Sequence, residues 1–360
     1  MNLNLLKGML IILVVIDHNE FSRSLFPAFL LGFGFHVVGF MTIPFLKPAA
    51  PLDRHFAGYL FRQYWPFMMV ATAMSVVMAL AAHRAPAEQL QAWAVALYSG
   101  NSQALKHATG MALLWFLPSF IAMVALRTLI ENAAKAVKMT ALALVCAVHL
   151  FIGTVAAAVQ DYLPLGLLPA LYVIPLAYAG VLAQRGVFER LRPAIALAVA
   201  AALFVPVKYL QMRAHLYNEV GFAIVADYTQ PYALLLNDLE AVTGVLLLFQ
   251  VSRLRLPRLV ESCGRYSMQI YLFHAFVALA VYKAAMALGA KAPAAVLFAV
   301  SVSATVLLTL ALARRVADSR LAQRFLFPRS PGVLFNRGER KAPPITALMP
   351  HSGSQTTLPR

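Results

Sequence analysis

Lys7-Gly8-Met9-Leu10-Ile11-Ile12-Leu13-Val14-Val15-Ile16-Asp17-His18 sets a cation at one end of an apolar run and an imidazole at the other. Eleven helical steps make three turns plus about 20°, so Lys7 and His18 share one helix face. They stand roughly 16 Å apart along the axis, about half the thickness of a bilayer core. The pattern predicts a membrane helix over 3–22, with Lys7 at one interface and His18 well inside. Ionisable groups at such depth are functional by default. A snorkelling lysine and a histidine facing a wet cleft is the plainer reading of the same residues.

The remainder of the chain has the same character. Of its 360 residues, 61% are apolar and 12% charged, and the mean hydropathy is +0.73, which is not the make-up of a soluble globule. Apolar runs near 20 residues recur at about 3–22, 25–46, 63–82, 111–130, 139–158, 165–183, 194–211, 231–251, 266–288 and 294–313. The fold class they predict is all-α, a polytopic membrane protein of about ten transmembrane helices. No Ala-x-Ala-like site follows Ile16, so the first run is read as a span and not as a cleavable signal. Residues 1–327 form the membrane domain in this reading, and 328–360 a basic tail rich in Pro, Ser and Arg, too polar to fold alone. Kinks are expected at Pro118 and Pro175.

A net charge of +16 raises nucleic acid as a partner, but the cations punctuate apolar runs and crowd the tail, as membrane topology requires. With a cytoplasmic N-terminus, 23 of the 30 Lys and Arg residues lie inside and 7 outside. The positive-inside rule then places both termini in the cytoplasm. The longest outer connections become 83–110 and 212–230. In the first, Leu90, Trp93, Ala94 and Leu97 fall at helical spacing, which predicts an amphipathic interfacial helix. Cys146 lies in an apolar run and Cys263 in a basic loop, so neither a disulfide nor a metal site is expected. No inverted repeat of the transporter kind is visible.

Other polar residues stand out against this background. His36 lies near the middle of the second span, and a packing histidine bonded to a carbonyl is the alternative to a working one. Arg62 opens the third span, where an arginine also serves as a topology anchor. Trp115 begins the fourth span near the outer face, as an aromatic-belt residue or as a sugar platform. Asp238 and Glu240 lie inside the eighth span, about 200° apart on the helix, so one cleft cannot easily use both. Asp17 and Glu20 are off the face of His18, so its ring partner is expected from another helix; Asp238 or Glu240 is the candidate. A structural pair with Lys208 or a neighbouring hydroxyl stands beside that reading. Ser267, Tyr271 and His274 form one polar stripe on the ninth span.

Several of these segments resemble acyltransferase family 3, integral membrane enzymes that O-acylate glycans. The first span resembles the family's motif of arginine, ten residues, then histidine, with Lys7 in the arginine's place as in the branch similar to fucose 4-O-acetylases. A lysine keeps the charge and loses the bidentate fork. Phe35-His36-Val37-Val38 resembles a Phe-His-x-Pro segment, with Val38 where proline is usual. Trp115-Phe116-Leu117 matches a Trp-Phe-Leu segment. Gly264-Arg265-Tyr266-Ser267-Met268-Gln269-Ile270-Tyr271-Leu272-Phe273-His274 resembles Gly-x-x-Ser-x-x-Ile-Tyr-Leu-x-His. Near Arg62 the family carries two arginines; this chain offers one.

The resemblance implies a multi-pass enzyme of the bacterial inner membrane that takes an acyl group, acetyl first among candidates, from cytoplasmic acyl-CoA. No cofactor is bound; acetyl-CoA or another acyl-CoA is the co-substrate. The acceptor is a hydroxyl of a glycan or lipid-linked sugar, and the partners are the bilayer and that acceptor, with no nucleic acid and no metal. Lys7 and Arg62 would form a cationic mouth for the donor's phosphates. His18 would be the general base or a transient acyl carrier, and both remain open. His36, Asp238, Glu240 and His274 would support it, with Trp115 on the acceptor side. The competing class is a proton-coupled secondary transporter, in which the intramembrane His, Asp and Glu residues relay protons.

Overall fold

The computed structural model describes residues 1–25, 34–152, 159, 162–214, 231–288, 292–328 and 330. Every regular element among them is helical. Helix α1 (Leu3–Asp17) starts where the Asn2 side chain accepts the backbone N–H groups of Asn4 and Leu5. It ends at Asp17, one residue past the apolar run and short of the expected end at 22. His18 leaves helical geometry at φ −92°, ψ 10°, and Asn19 takes the Phe21 N–H at 3.1 Å, opening α2 (Glu20–Leu25). The polar residues 17–20 therefore divide the expected 3–22 span, because a side-chain cap competes with the backbone for its own N–H groups.

The chain continues as α3 (Gly34–Thr42), α4 (Arg54–Ala81), α5 (Pro86–Ser99), α6 (Ser102–Thr109), α7 (Phe116–Asn132) and α8 (Lys135–Leu150). Then follow α9 (Leu167–Gly186), α10 (Pro193–Arg213), α11 (Pro231–Val251), α12 (Arg258–Arg265), α13 (Ser267–Ala287), α14 (Ala294–Asp318) and α15 (Arg320–Phe325). Seven helices among the described residues are long and apolar enough to cross a bilayer, against the ten or so expected. The expected spans 3–22, 25–46 and 139–158 correspond to helices of 15, 9 and 16 residues. Residues 26–33 and 153–158 lie outside the described residues, as do most of the 212–230 connection and of the tail. Pro118 is not a kink: it sits in the first turn of α7, where its missing N–H costs nothing. Pro175 lies inside the unbroken α9.

The connection at 83–110 is two helices and not one. Gln89 ties α5 to its neighbours through bonds to Ser75 Oγ at 2.8 Å and the Ala108 carbonyl at 2.8 Å. Trp93 donates to Thr72 at 3.0 Å, so only part of the apolar stripe faces outward; Leu90 and Tyr98 are exposed.

Helix α1 is the axis on which the site depends. It packs chiefly on α12, α13, α3, α14 and α11. A Cβ on Gly8 would stand 1.8 Å from the Val260 carbonyl oxygen, and one on Gly264 1.7 Å from that of Asn4. Only glycine lets the two backbones approach so closely, the device by which membrane helices gain contact without a hydrophobic drive. Two residues further along α1, Leu10 packs against Gly39 of α3. The lower half of α1 is thus gripped on two sides, which fixes the rotation of Lys7 and His18 about its axis.

Candidate active site

His18 caps α1 with about a third of its side chain exposed, at 37%. Its Nδ1 lies 2.9 Å from the Val14 carbonyl. A carbonyl only accepts, so Nδ1 carries the hydrogen and the neutral ring keeps its lone pair on Nε2. The expectation that another helix must orient this ring is corrected here: the partner is the carbonyl four residues back, because the helix ends at this point and its last carbonyls are unspent. Leaving the helix also brings Asp17 to 4.0 Å from Nδ1.

Against His18 stands His274 of α13, ring centroids 5.3 Å apart and 78° between planes. His274 is fully buried. Its Nδ1 lies 2.7 Å from the Tyr271 carbonyl and 3.2 Å from that of Ile270, so it too has its lone pair on Nε2, which meets no partner among the described residues. A line of rings continues from this pair: Tyr271 at 6.1 Å from His274, Phe116 at 5.4 Å from Tyr271, and Trp115 at 6.2 Å from Phe116. Tyr271 donates to the Leu113 carbonyl. Trp115 is buried in the core, closer to a wall of the His18 neighbourhood than to a surface belt.

Lys7 lies partly buried on the same helix, with no hydrogen bond or ion pair among the described residues; the charge that acts on it is that of Lys47, a cation. Arg62 belongs to α4, whose main neighbours are α5, α6 and α7 and not α1. Close to Lys7, the carbonyls of the 46–50 turn are gathered by Arg185, Arg127 and Asn132, at 3.2, 2.5 and 2.9 Å. This anchors Lys47 beside α1. On α12, burial pushes the Cys263 thiol up to about 11, partly offset by Arg314, whose charge reaches it.

Asp238 and Glu240 serve other partners than His18. Asp238 accepts from the Tyr172 hydroxyl at 3.0 Å and meets His149 Nε2 at 2.8 Å. Glu240 lies 3.4 Å from Lys208, in a buried set completed by Gln211 and Asn237. Their opposite placement follows from the 200° between them on α11. His36 is buried on α3, one turn from Gly39. His149 and Tyr172 went unremarked in the sequence, although an imidazole inside the 139–158 run satisfies the same rule that singles out His18.

Fold and site together define a multi-pass helical membrane protein with an oriented, partly exposed imidazole capping a helix that also carries a partly buried lysine. That class narrows further on comparison with known proteins. The sequence model of acyltransferase family 3, described as an acyltransferase domain, matches residues 2–314, and the chain belongs to that family. It is a membrane acyltransferase. No curated protein and no solved structure matches it.

Proposed function

We propose that this acyltransferase moves an acetyl group from cytoplasmic acetyl-CoA to a hydroxyl of a cell-envelope or exported glycan, in the manner of the fucose 4-O-acetylase-like branch. The bacterial inner membrane, with both termini in the cytoplasm, is the setting. The observation that carries the reading is the His18 ring: its tautomer is held by the Val14 carbonyl, and its Nε2 is left uncommitted on the face it shares with Lys7. The charge of Lys47 reaches Lys7, and neither has a carboxylate partner among the described residues, so an anion such as a donor phosphate would relieve the repulsion.

As general base, Nε2 takes the proton of the acceptor hydroxyl as its oxygen attacks the thioester carbonyl. The C–S bond then breaks, and the leaving thiolate recovers the proton from His18. As carrier, Nε2 itself attacks and the C–S bond breaks to release the thiolate; the acyl-imidazolium then passes its acyl group to the hydroxyl, whose proton goes to the thiolate. His274 forms the wall against which the His18 ring stands, and Trp115 reaches the same wall through Phe116 and Tyr271.

The test uses full-length protein in liposomes loaded with labelled acetyl-CoA, with a sugar acceptor outside. Label on the acceptor or on the protein is expected; label on neither, with the protein folded, overturns the reading. Orientation is read separately in a variant lacking Cys146 and Cys263. Ala50→Cys should react with an impermeant thiol reagent only from the cytoplasmic side, and Gln91→Cys only from the opposite side.

A further inference from the structure

Helix α14 runs beside α1 in the opposite direction, and two observations set its level. Asn19 Nδ2 donates to Ser301 Oγ at 2.8 Å, which fixes the outer part of α14 one residue beyond His18. Arg314 acts on Cys263, next to the Gly264–Gly8 crossing, which fixes its inner part at the level of Lys7. Between these two points α14 presents Thr305 and Thr309, both fully buried. Ser301, Thr305 and Thr309 recur every four residues and so form one stripe, about 6 Å per step. The stripe therefore spans the depth between Lys7 and His18.

The two threonines behave unlike the rest. Thr42, Thr109, Thr128, Thr140 and Thr243 each donate to the carbonyl four residues back, the ordinary way for a helix to absorb a hydroxyl. Thr305 Oγ1 and Thr309 Oγ1 have no hydrogen-bond partner among the described residues, and the same is true of His274 Nε2 on the adjoining α13. A buried polar atom left unsatisfied costs about 1–3 kcal/mol, and hydrocarbon offers it no water. Three of them on one packed helix pair, at the depth between cation and base, need a common partner.

We propose that Thr305, Thr309 and His274 Nε2 form the binding lane for the amide-bearing arm of the donor, rising from the phosphates at Lys7 and Lys47 to the thioester at His18. This rests on acyl-CoA being the donor. The chemistry matches group for group. An amide offers one N–H and one C=O; His274 Nε2 is a bare acceptor, and each threonine hydroxyl both donates and accepts. A chain carrying amides would satisfy all three groups, which explains why a fully buried histidine keeps its open nitrogen turned away from the carbonyls that hold the other.

The experiment compares CoA with adenosine 3′,5′-bisphosphate, which keeps the phosphates and lacks the arm. Both compete against labelled acetyl-CoA on the full chain in nanodiscs. The double variant Thr305→Val/Thr309→Val keeps the volume and removes both hydroxyls. It should weaken CoA roughly tenfold, as expected for two modest hydrogen bonds, and leave the bisphosphate within about twofold. Thr305→Ser/Thr309→Ser should restore CoA binding, which a packing defect would not. Unchanged CoA affinity in the valine variant overturns the proposal while the donor reading stands. Unchanged affinity with a slower, pH-shifted turnover would mean that the lane conducts protons through water, and also overturns it. If wild-type protein bound neither CoA nor the bisphosphate, the donor reading would fall, and the lane assignment with it.

Discussion

Two imidazoles in this molecule are held in the same way and differ in what is left over. His18 and His149 each place Nδ1 2.9 Å from a backbone carbonyl, of Val14 and of Tyr172. At His149 the second nitrogen is also taken, by Asp238 at 2.8 Å, and the ring is stacked on Tyr172 at 4.9 Å with 17° between planes. Both ring nitrogens are occupied by partners, so neither is open to a substrate. The ring binds α8, α9 and α11 to one another and is consumed in doing so. At His18 the nearest carboxylate, Asp17, lies 4.0 Å from Nδ1 and leaves Nε2 uncommitted, and about a third of the side chain is exposed. Within a membrane, then, it is the less well-satisfied histidine that is equipped for chemistry.

The largest expected effect breaks or confirms that contrast directly. A positioned general base contributes about 10²–10⁴ in rate, so His18→Ala should lose that much with the protein still folded in the membrane. His18→Gln keeps size and hydrogen bonding but cannot take the proton, and should be nearly as inactive. If glutamine restored most of the turnover, His18 would be a positioning residue, and the base would have to be sought at His274 or His36.

The reverse pattern is expected at the other ring. His149→Gln or Asp238→Asn leaves a buried group without its partner, a loss on the order of 3 kcal/mol. It should appear as a lower melting temperature and less protein in the membrane, with specific activity of the surviving protein within a few-fold. A fully stable His149→Gln that has lost turnover would reverse the assignment of the two rings. In size the next effect comes from Gly8→Ala, whose methyl must displace the Val260 carbonyl. Overpacking of this kind costs about 1–3 kcal/mol, and because it rotates α1 it should also raise donor KM.

What the chain disclosed before folding, and what it withheld, divides along the same line. The run from Lys7 to Asp17 is legible because it lies on one helix, where spacing sets the face, and His18 follows as its cap. The 200° between Asp238 and Glu240 was legible for the same reason, and they do point to different partners. What joins different helices was not. His274 meets His18 from 256 residues away, and Asp238 meets His149 from 89 residues away; no local pattern carries such pairings. Hydropathy ends at Ile16 and α1 at Asp17; an expected span of 3–22 overruns because it does not see the break at His18 and the turn that Asn19 makes with Phe21. Arg62 joins Lys7 in the sequence through the family's arginine segment and the chemistry of phosphate binding, and the structure adds Lys47 as a cation whose charge reaches Lys7.

That added cation supplies the smallest effect and the finest test. If Lys7 serves the donor's phosphates, Lys7→Ala should raise apparent donor KM by about tenfold, the loss of one charge-assisted contact, with little change in kcat. Lys7→Arg should keep the activity, since arginine binds phosphate at least as well. Lys47→Ala should act in the same direction but less, because Lys47 is exposed and its field is screened by salt. Arg62→Ala should leave donor KM unchanged, since α4 packs away from α1. Raising salt should narrow the gap between wild type and Lys47→Ala faster than that between wild type and Lys7→Ala. If Arg62→Ala raised donor KM more than Lys47→Ala did, the donor's phosphates would enter along α4, and the pairing of Lys7 with Lys47 would have no part in holding them.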